Sequence, residues 1–246
     1  MTQAKQEYDT IAAAYQDSKR LSFRKYVEEY TLFEILGNIR GKDVVDLACG
    51  EGFYTRKIKQ AGAAQVTGVD ISGAMVRLAE EQERRQPLGC KYVHQDVATL
   101  RMAQAADIVV AMYLLNYAQT RGHLFRFCQV AADILRSGGQ FAGFNDNIRN
   151  PVQGTASFAK YGFEKTSAYP PQEGDAIVYR FTNEDGQQFE FTNFFLKPET
   201  YQAAFEQAGF VDFRWVTLLH PSQRDNPFWG DFMSNLPVAG FVVSKE

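Results

Sequence analysis

The stretch Val44-Val45-Asp46-Leu47-Ala48-Cys49-Gly50-Glu51-Gly52, residues 44–52, decides the fold class. Its first half is the apolar run of a buried strand, and Gly50 and Gly52 stand where that strand would turn into a helix. Glycine has no Cβ atom, so it allows sharp backbone dihedrals and lets a ligand approach the backbone closely. The pattern predicts a strand–turn–helix unit with a binding site at the turn.

Strand and helix patterns alternate from this unit onward. We predict two helices before it, one opening the chain around Tyr8–Tyr15 and one over residues 22–37. Strands follow at 42–49, 65–70, 90–95, 107–113 and 140–145, with helices at 53–60, 73–84 and 123–135, the last stopped by Gly138-Gly139. Such alternation implies parallel βαβ units with right-handed crossovers, and hence a doubly wound sheet.

The alternation of strand and helix patterns stops after Asn145. Strands predicted at 175–182 and 187–196 are joined by Asn183-Glu184-Asp185-Gly186, which is typical of a hairpin turn. A helix from Pro198 to Gly209 and strands at 210–219 and 238–244 follow. We therefore predict an α/β fold: a mostly parallel, seven-stranded, Rossmann-like sheet with N-terminal lid helices and an antiparallel hairpin inserted after strand 5.

This organisation is expected to form one domain over residues 1–246. Its parts are N-terminal lid helices (1–40), a cofactor-binding core (41–145), an insertion that covers the substrate (146–197) and the C-terminal part of the sheet (198–246).

Composition limits the partners. The 246 residues carry a net charge of −3, whereas nucleic-acid binders normally show a basic excess. Cys49, Cys90 and Cys128 lack the spacing of a disulfide framework or a zinc site. Residues 1–15 contain no apolar core of a signal peptide, and no segment reaches the length of a membrane span. We expect a cytoplasmic monomer or homodimer that acts on a small molecule, with neither nucleic acid, membrane nor metal as partner.

The residues of the turn discriminate between cofactors. Asp70 ends the second predicted strand, at the spacing from Gly50 where an acidic side chain accepts the hydroxyls of a ribose. A dinucleotide site would have glycine where Phe53 stands, and Glu51 would repel a pyrophosphate. Asp46 suits an ammonium group. A ligand with a ribose, a cationic amino-acid end and no phosphate fits, namely S-adenosylmethionine, with S-adenosylhomocysteine as product; the alternative is an ordinary turn in which Asp46 caps the helix.

Three motifs resemble the class I S-adenosylmethionine-dependent methyltransferases: VVDLACGEGFYTRKI (44–58), VTGVDIS (66–72) and YVHQDV (92–97). That family usually has glycine where this chain has Ala48. The resemblance implies that Asp46 and the backbone around Ala48, Cys49 and Gly50 hold the methionine portion. It assigns the rest of the cofactor to Asp70 at the ribose, Ile71, Met75, Asp96 and Val97 at the adenine, and Met112 and Tyr113 beneath the sulfonium.

The two ends of the chain add a looser likeness. YDTIAAAY (8–15) resembles the helix that lids the cofactor in many small-molecule methyltransferases, which implies contacts from Tyr8 and Tyr15, joined by Tyr117. NPFWGDFMSNLPVAGFVV (226–243) resembles a subgroup that includes the N-methyltransferase of toxoflavin biosynthesis. This likeness implies a nitrogen-rich or phenolic acceptor.

The insertion is rich in aromatic residues, which suits a flat acceptor. Most of these side chains are also explained by coverage of the sheet. We expect the acceptor to meet side chains from the ends of strands 4 and 5, the insertion and the C-terminal segment: Tyr113, Asn116, Asn145, Asn147, Phe195 and Trp229. Turn formation equally explains Asn145 and Asn147. The candidates for a catalytic role are His220, as a base, and Tyr15.

The sequence thus predicts methyl transfer to nitrogen or oxygen of a small aromatic or heterocyclic metabolite, achieved mainly by orientation. Two alternatives stay open: a nicotinamide-dependent oxidoreductase, and a non-catalytic S-adenosylmethionine-binding subunit. A metal-assisted catechol enzyme using Asp146 is a further possibility, although hard cations usually take more oxygen ligands.

Overall fold

A computed structural model describes residues 3–102, 104–151, 154–183 and 185–246. In these ranges two sheets are formed by strands β1 (Asp43–Leu47), β2 (Gln65–Asp70), β3 (Lys91–His94), β4 (Ala106–Met112), β5 (Leu135–Asp146), β6 (Gly154–Phe158), β7 (Phe163–Ser167), β8 (Ala176–Thr182), β9 (Gln188–Phe194), β10 (Phe210–Val216) and β11 (Val238–Lys245).

The central sheet has the order β10-β11-β5-β4-β1-β2-β3 within the described residues. Its strands β1 to β5 are parallel, and β11 runs antiparallel to both β5 and β10. The predicted seven-stranded, mostly parallel α/β sheet is confirmed. Because β1 lies between β2 and β4, its carboxyl end opens beside the change in strand order, where ligands of such sheets bind.

The helices of the described chain are α1 (Gln3–Asp17), α2 (Tyr30–Leu36), α3 (Phe53–Gln60), α4 (Gly73–Arg85), α5 (Arg121–Ile134), α6 (Pro198–Gln207) and α7 (Gly230–Ser234). Side-chain caps explain two of the starts: Ser72 Oγ accepts from Met75 N at 3.2 Å before α4, and Thr120 Oγ1 accepts from His123 N at 3.2 Å before α5. The helix predicted over 22–37 contains a π-helical segment, Arg24–Glu29, ahead of α2. Such segments are rare and often lie at functional sites.

The glycine pair Gly138-Gly139 plays a different part from the one predicted. Helix α5 ends at Ile134 and β5 begins at the next residue, so the pair lies inside the strand. Gly138 has φ +73°, and a Cβ on Gly139 would lie 3.0 Å from the carbonyl oxygen of Asp107. The glycines accommodate an irregular start of the strand, where its register against β4 shifts.

The insertion is wider than the predicted hairpin. Strands β8 and β9 correspond to that hairpin, but β6 and β7 extend it to an antiparallel sheet of order β6-β7-β8-β9 in the described residues, which we call the cover sheet. Of the predicted turn, Glu184 lies outside the described residues. Strand β7 escapes prediction because its buried positions are Phe163, Lys165 and Ser167, so polarity does not alternate with burial.

The buried face of the cover sheet is aromatic at one end and polar at the other. Phe163, Phe181 and Phe189 form one cross-strand row, and Phe181 and Phe189 stack with ring centroids 5.4 Å apart. Two rows further along, Asn193 lies opposite Ile177. Aromatic cross-strand pairs stabilise a sheet through packing, so the phenylalanine end explains how the cover sheet holds together. The polar end requires another explanation.

Candidate functional site

A cavity of about 350 Å³ opens at the carboxyl ends of β1, β2, β3 and β4. It is bounded above by α1 and by Thr192 and Phe194 of β9. All the predicted cofactor residues except Met75 line it: Tyr8, Tyr15, Asp46, Ala48, Cys49, Gly50, Asp70, Ile71, Asp96, Val97, Met112, Tyr113 and Tyr117. Met75 lies in the first turn of α4 and is 1% exposed. Parallel strands bring these separate stretches of sequence to one edge.

Asp46 lies on the floor of the cavity with one oxygen atom unused. Its Oδ2 accepts a hydrogen bond from Thr55 Oγ1 at 2.6 Å, whereas the buried Oδ1 has no partner among the residues that the structure describes. Burial raises the pKa of this carboxyl to about 7, although Thr55 and the Lys19 ammonium oppose the shift. A cationic ligand group beside Oδ1 would satisfy the oxygen and restore the ionised form.

Asp70 is held by backbone amides on both of its oxygens. Gly50 N donates to Oδ2 and Ser72 N donates to Oδ1, each at 2.8 Å. Burial raises the pKa of Asp70, and these two amides counteract it. Each carboxylate oxygen keeps a lone pair, so the group can accept two further hydrogen bonds from vicinal hydroxyls. This is the arrangement that a ribose needs.

The turn between β1 and α3 has left-handed backbone at three positions. Gly50 and Gly52 have φ +57° and +83°, and a Cβ on Gly52 would lie 2.5 Å from the hydroxyl of Tyr92. Ala48 also has φ +57°, where an L-residue with a Cβ is strained. Strain of this kind persists where the surrounding structure imposes it, as in ligand-binding turns.

Asp96, Val97 and His123 lie at another end of the cavity. Asp96 Oδ1 accepts from Ala98 N at 2.8 Å and caps the short helix that follows. His123 packs on Phe127 with ring centroids 4.4 Å apart, and burial lowers its pKa. The imidazole, the benzene ring and Val97 form a largely apolar wall with one carboxylate beside it.

Helix α1 is bonded to the rim of the cavity. Tyr8 and Tyr117 share a hydrogen bond between their hydroxyls. Asp9 Oδ1 accepts from Ser72 Oγ at 2.6 Å and from Ala74 N at 3.2 Å, so the helix contacts the start of α4. These contacts hold α1 across the opening.

Several residues of the site escaped the sequence analysis. Lys19 and Tyr54 line the cavity, and the Lys19 ammonium lies 4.6 Å from the centroid of the Tyr15 ring. Sequence alone gives no signal for Lys19, which follows α1 in a short helical turn. Tyr54 falls inside the motif at 44–58, so its place in that motif is the one available clue.

A buried ion pair supports the wall beside this cavity. Arg24 Nη1 lies 2.8 Å from Glu28 Oε1, and both side chains are at most 2% exposed. The Glu28 carboxylate also accepts from the hydroxyls of Tyr54 and Tyr113. Tyr113 has φ +73°, a strained conformation at the end of β4. The sequence indicates this pair only through two opposite charges that stand four residues apart on an otherwise apolar helix face.

A second cavity, of about 10 Å³, lies behind the first, against the buried face of the cover sheet. Tyr8, Tyr15 and Tyr113 line both cavities and separate them. Arg24 and Asn193 also line the smaller one. Its remaining walls are mostly phenylalanine and tyrosine rings.

The structure does not bring the other predicted site residues to either cavity. Asn116, Asn145 and Asn147 are buried in the protein; Asn145 donates to Tyr201 and Asn147 donates to the carbonyl oxygen of Leu236. Phe195 and Trp229 are buried elsewhere. Asn116 and Trp229 lie in short helical turns and not at strand ends, so their position in sequence does not show which way the side chains face.

His220 is also distant from both cavities. Its Nδ1 accepts from Ser222 N at 3.2 Å and so caps a short helix, while its ring packs at 4.9 Å from that of Tyr30. The residue therefore has a structural explanation and lines neither of the two described cavities.

Asp146 is engaged in a second buried ion pair. Lys165 Nζ lies 2.6 Å from its Oδ1, and Tyr179 donates to the same oxygen at 2.5 Å.

Among the described residues no cluster of three or more His, Cys, Asp or Glu side chains could hold a metal ion. In the same part of the chain no helix is long and apolar enough to span a bilayer.

Comparison with known proteins finds a family match for the central segment of the chain. Residues 44–139 match the model of a methyltransferase domain. A ubiquinone biosynthesis O-methyltransferase from Coxiella burnetii is 30% identical over 128 residues, which are 51% of this chain and 50% of that protein. The chain thus spans about half the length of this curated relative.

Solved structures extend the likeness to the whole chain at the level of the fold. The CcbJ methyltransferase from Streptomyces caelestis matches with a TM-score of 0.71 and 18% identity, covering all of both chains. The [4+2]-cyclase SpnF matches with a TM-score of 0.66 and 14% identity, covering 99% of this chain and 96% of that one.

These findings favour S-adenosylmethionine over a nicotinamide cofactor. They agree with the cavity, whose lining includes the carboxylates of Asp46, Asp70 and Asp96. Residues 44–139 therefore match a methyltransferase domain, and the chain has the fold of the class I S-adenosylmethionine-dependent methyltransferases.

Proposed function

We propose that the protein transfers a methyl group from S-adenosylmethionine to oxygen or nitrogen of a small aromatic or heterocyclic molecule. One observation carries the proposal: two buried carboxylates, Asp46 and Asp70, line one cavity, and Oδ1 of Asp46 has no hydrogen-bond partner among the described residues. A buried polar atom without a partner is costly in a folded protein, so the Oδ1 atom of Asp46 favours a ligand that supplies the partner.

The residues of the larger cavity fit the cofactor part by part. Asp46 Oδ1 would accept from the ammonium of the methionine portion, and Lys19 would face its carboxylate. Asp70 would accept from both ribose hydroxyls. The apolar wall of Val97, His123 and Phe127 suits the adenine, with Asp96 beside it to accept from the amino group.

When bound, the cofactor supplies a methyl carbon attached to a sulfonium, which is a good leaving group. The protein's own contribution is to hold the acceptor in line and to exclude water. Tyr15 and Tyr113 lie between the two cavities and so are the side chains that would orient the acceptor. A base is needed only if the acceptor atom carries a proton. In the described residues no histidine lines the smaller cavity, which favours catalysis mainly by orientation.

The nature of the acceptor is supported from two sides. The aromatic walls of the smaller cavity favour a flat molecule. The name of the curated relatives, ubiquinone biosynthesis O-methyltransferase, supports oxygen as the receiving atom. The described residues contain no metal cluster that would favour a metal-assisted route.

Titration calorimetry with S-adenosylhomocysteine and with NAD tests the cofactor assignment. We expect binding of S-adenosylhomocysteine alone, and preferential binding of NAD would refute the proposal. Incubation with methyl-labelled S-adenosylmethionine and a library of phenols and heterocycles tests turnover. Binding without label transfer to any acceptor would instead support a non-catalytic subunit.

A further inference from the structure

Two residues that line the smaller cavity each have a buried polar atom without a hydrogen-bond partner in the described part of the chain. The atoms are Nε of Arg24, whose side chain is 2% exposed, and Oδ1 of Asn193, which is 1% exposed. The first is a donor and the second an acceptor. Leaving either atom unpaired costs free energy, about 1–3 kcal/mol for a typical buried group. Both residues line one cavity, which points to a shared ligand.

A purely structural role does not account for an asparagine at position 193. It occupies a buried position of β9 in alternation with Phe189 and Phe191, on the aromatic face of the cover sheet. An apolar side chain would continue that face without an unpaired oxygen. The packing of the cover sheet therefore does not explain the amide.

The size of the cavity limits what reaches both atoms. About 10 Å³ accommodates one group the size of a water molecule. A single group that accepts from Arg24 Nε and also donates to Asn193 Oδ1 must have a lone pair and a hydrogen. A hydroxyl has both, whereas a carbonyl lacks the hydrogen.

The charges around the cavity argue for a neutral group. Arg24 is neutralised by Glu28, and Lys165 is neutralised by Asp146. A carboxylate bound here would meet no unbalanced cation from these pairs, and burying an uncompensated charge is expensive.

We infer that the smaller cavity is an anchoring subsite for a hydroxyl group on a planar aromatic acceptor, held between Arg24 Nε and Asn193 Oδ1. The ring bearing this hydroxyl lies among Tyr8, Tyr15 and Tyr113, which separate the two cavities, and its entry moves these side chains apart. The inference rests on the proposed function, because the acceptor has to lie beside the cavity assigned to the cofactor.

A matched set of probes tests the subsite: 6-hydroxyquinoline, quinoline and quinoline-6-carboxylate, each titrated into the protein saturated with S-adenosylhomocysteine. Two added hydrogen bonds predict about tenfold tighter binding of 6-hydroxyquinoline than of quinoline. The carboxylate should bind no better than quinoline. Equal binding of the first two probes, binding of none of them, or preference for the carboxylate overturns the inference.

Variants locate the effect. Asn193→Leu removes the acceptor oxygen Oδ1, which has no hydrogen-bond partner among the described residues. This variant should lose the tenfold preference for 6-hydroxyquinoline over quinoline. Arg24→Lys keeps a charge beside Glu28 but lacks the Nε donor, and it should also abolish the preference. Asn147→Leu is the matched control, since Asn147 is a buried asparagine with an unpartnered Oδ1 outside both cavities; it should keep the preference.

The measurements separate this inference from the proposed function. Failure of the wild-type protein to bind S-adenosylhomocysteine would refute the proposed function. Intact S-adenosylhomocysteine binding without a preference for the hydroxylated probe would refute only the anchoring subsite. A preference that survives in Asn193→Leu would also overturn it.

Discussion

The cofactor cavity and the buried face of the cover sheet satisfy their polar groups in opposite ways. In the cavity, Asp70 is held by two backbone amides and Asp46 keeps an oxygen without a partner. Behind it, the charges are paired within the protein, as Arg24 with Glu28 and Lys165 with Asp146. The unpaired carboxylate oxygen of the first region favours a cationic ligand group. In the second region the described charges already have partners of opposite sign.

The largest expected effect comes from breaking a charge pair behind the cavity. Glu28→Leu leaves the buried Arg24 guanidinium without its partner, and removing one member of such a pair costs about 3–5 kcal/mol. We expect this loss in the free energy of unfolding, measured by urea denaturation. The double variant Arg24→Met/Glu28→Leu should recover most of it. Failure of the double variant to recover would mean that the tyrosine hydroxyls, and not the charge, depend on Glu28.

A change in the cavity should affect binding more than folding. Asp70→Ala removes the acceptor of two hydroxyl hydrogen bonds, and bonds to a charged group contribute about 1.5–3 kcal/mol each. Affinity for S-adenosylhomocysteine should fall at least 100-fold by calorimetry. Asp96→Ala, at the adenine end, should have a smaller effect. Unchanged affinity in Asp70→Ala would contradict the ribose assignment.

The unfilled oxygen of Asp46 predicts a pH dependence. Folding raises the pKa of this group to about 7, so ionising it costs stability as the pH rises from its unfolded value toward 7. A ligand ammonium removes that cost. Affinity for S-adenosylhomocysteine should therefore rise about tenfold from pH 6 to pH 8, in proportion to the ionised fraction. In Asp46→Asn this rise should disappear, and a rise that persists would point to another group.

Ala48 offers a smaller test of the turn. At φ +57° its Cβ is strained by about 1–2 kcal/mol, while glycine loses about 0.5–1 kcal/mol more backbone entropy on folding. Ala48→Gly should stabilise the protein by about 0.5–1 kcal/mol in thermal unfolding, with cofactor affinity retained. A loss of stability would show that the methyl group makes a contact worth more than the strain.

The smallest effect is expected at His220, which caps a short helix and lines neither cavity. His220→Ala should leave kcat within about twofold for any acceptor that is methylated, since removing a general base typically costs at least 100-fold. Such a loss of kcat without a change in KM would restore His220 as the base and place the acceptor on the far side of the sheet.

The sequence by itself determined the sheet and the cofactor side. Residues 44–52, 66–72 and 92–97 are local strand-to-helix turns, and parallel strands bring such turns to one edge whatever the loops between them do. Asp46, Asp70 and Asp96 were therefore predictable from their neighbours in sequence. The position of Met75 was not predictable, because the direction in which a side chain of α4 points depends on how the helix rotates against the sheet.

Only the tertiary structure decided the acceptor side. Arg24 and Glu28 are close in sequence, but their burial depends on long-range packing, and Lys165 meets Asp146 from a different strand. Asn193 reaches the smaller cavity from β9. Lys165 and Asn193 occupy strand positions where polarity would predict exposure. Local sequence patterns record which face a residue prefers, but they do not record which distant side chain meets it there, and that meeting determines whether a buried polar group is paired or left for a ligand.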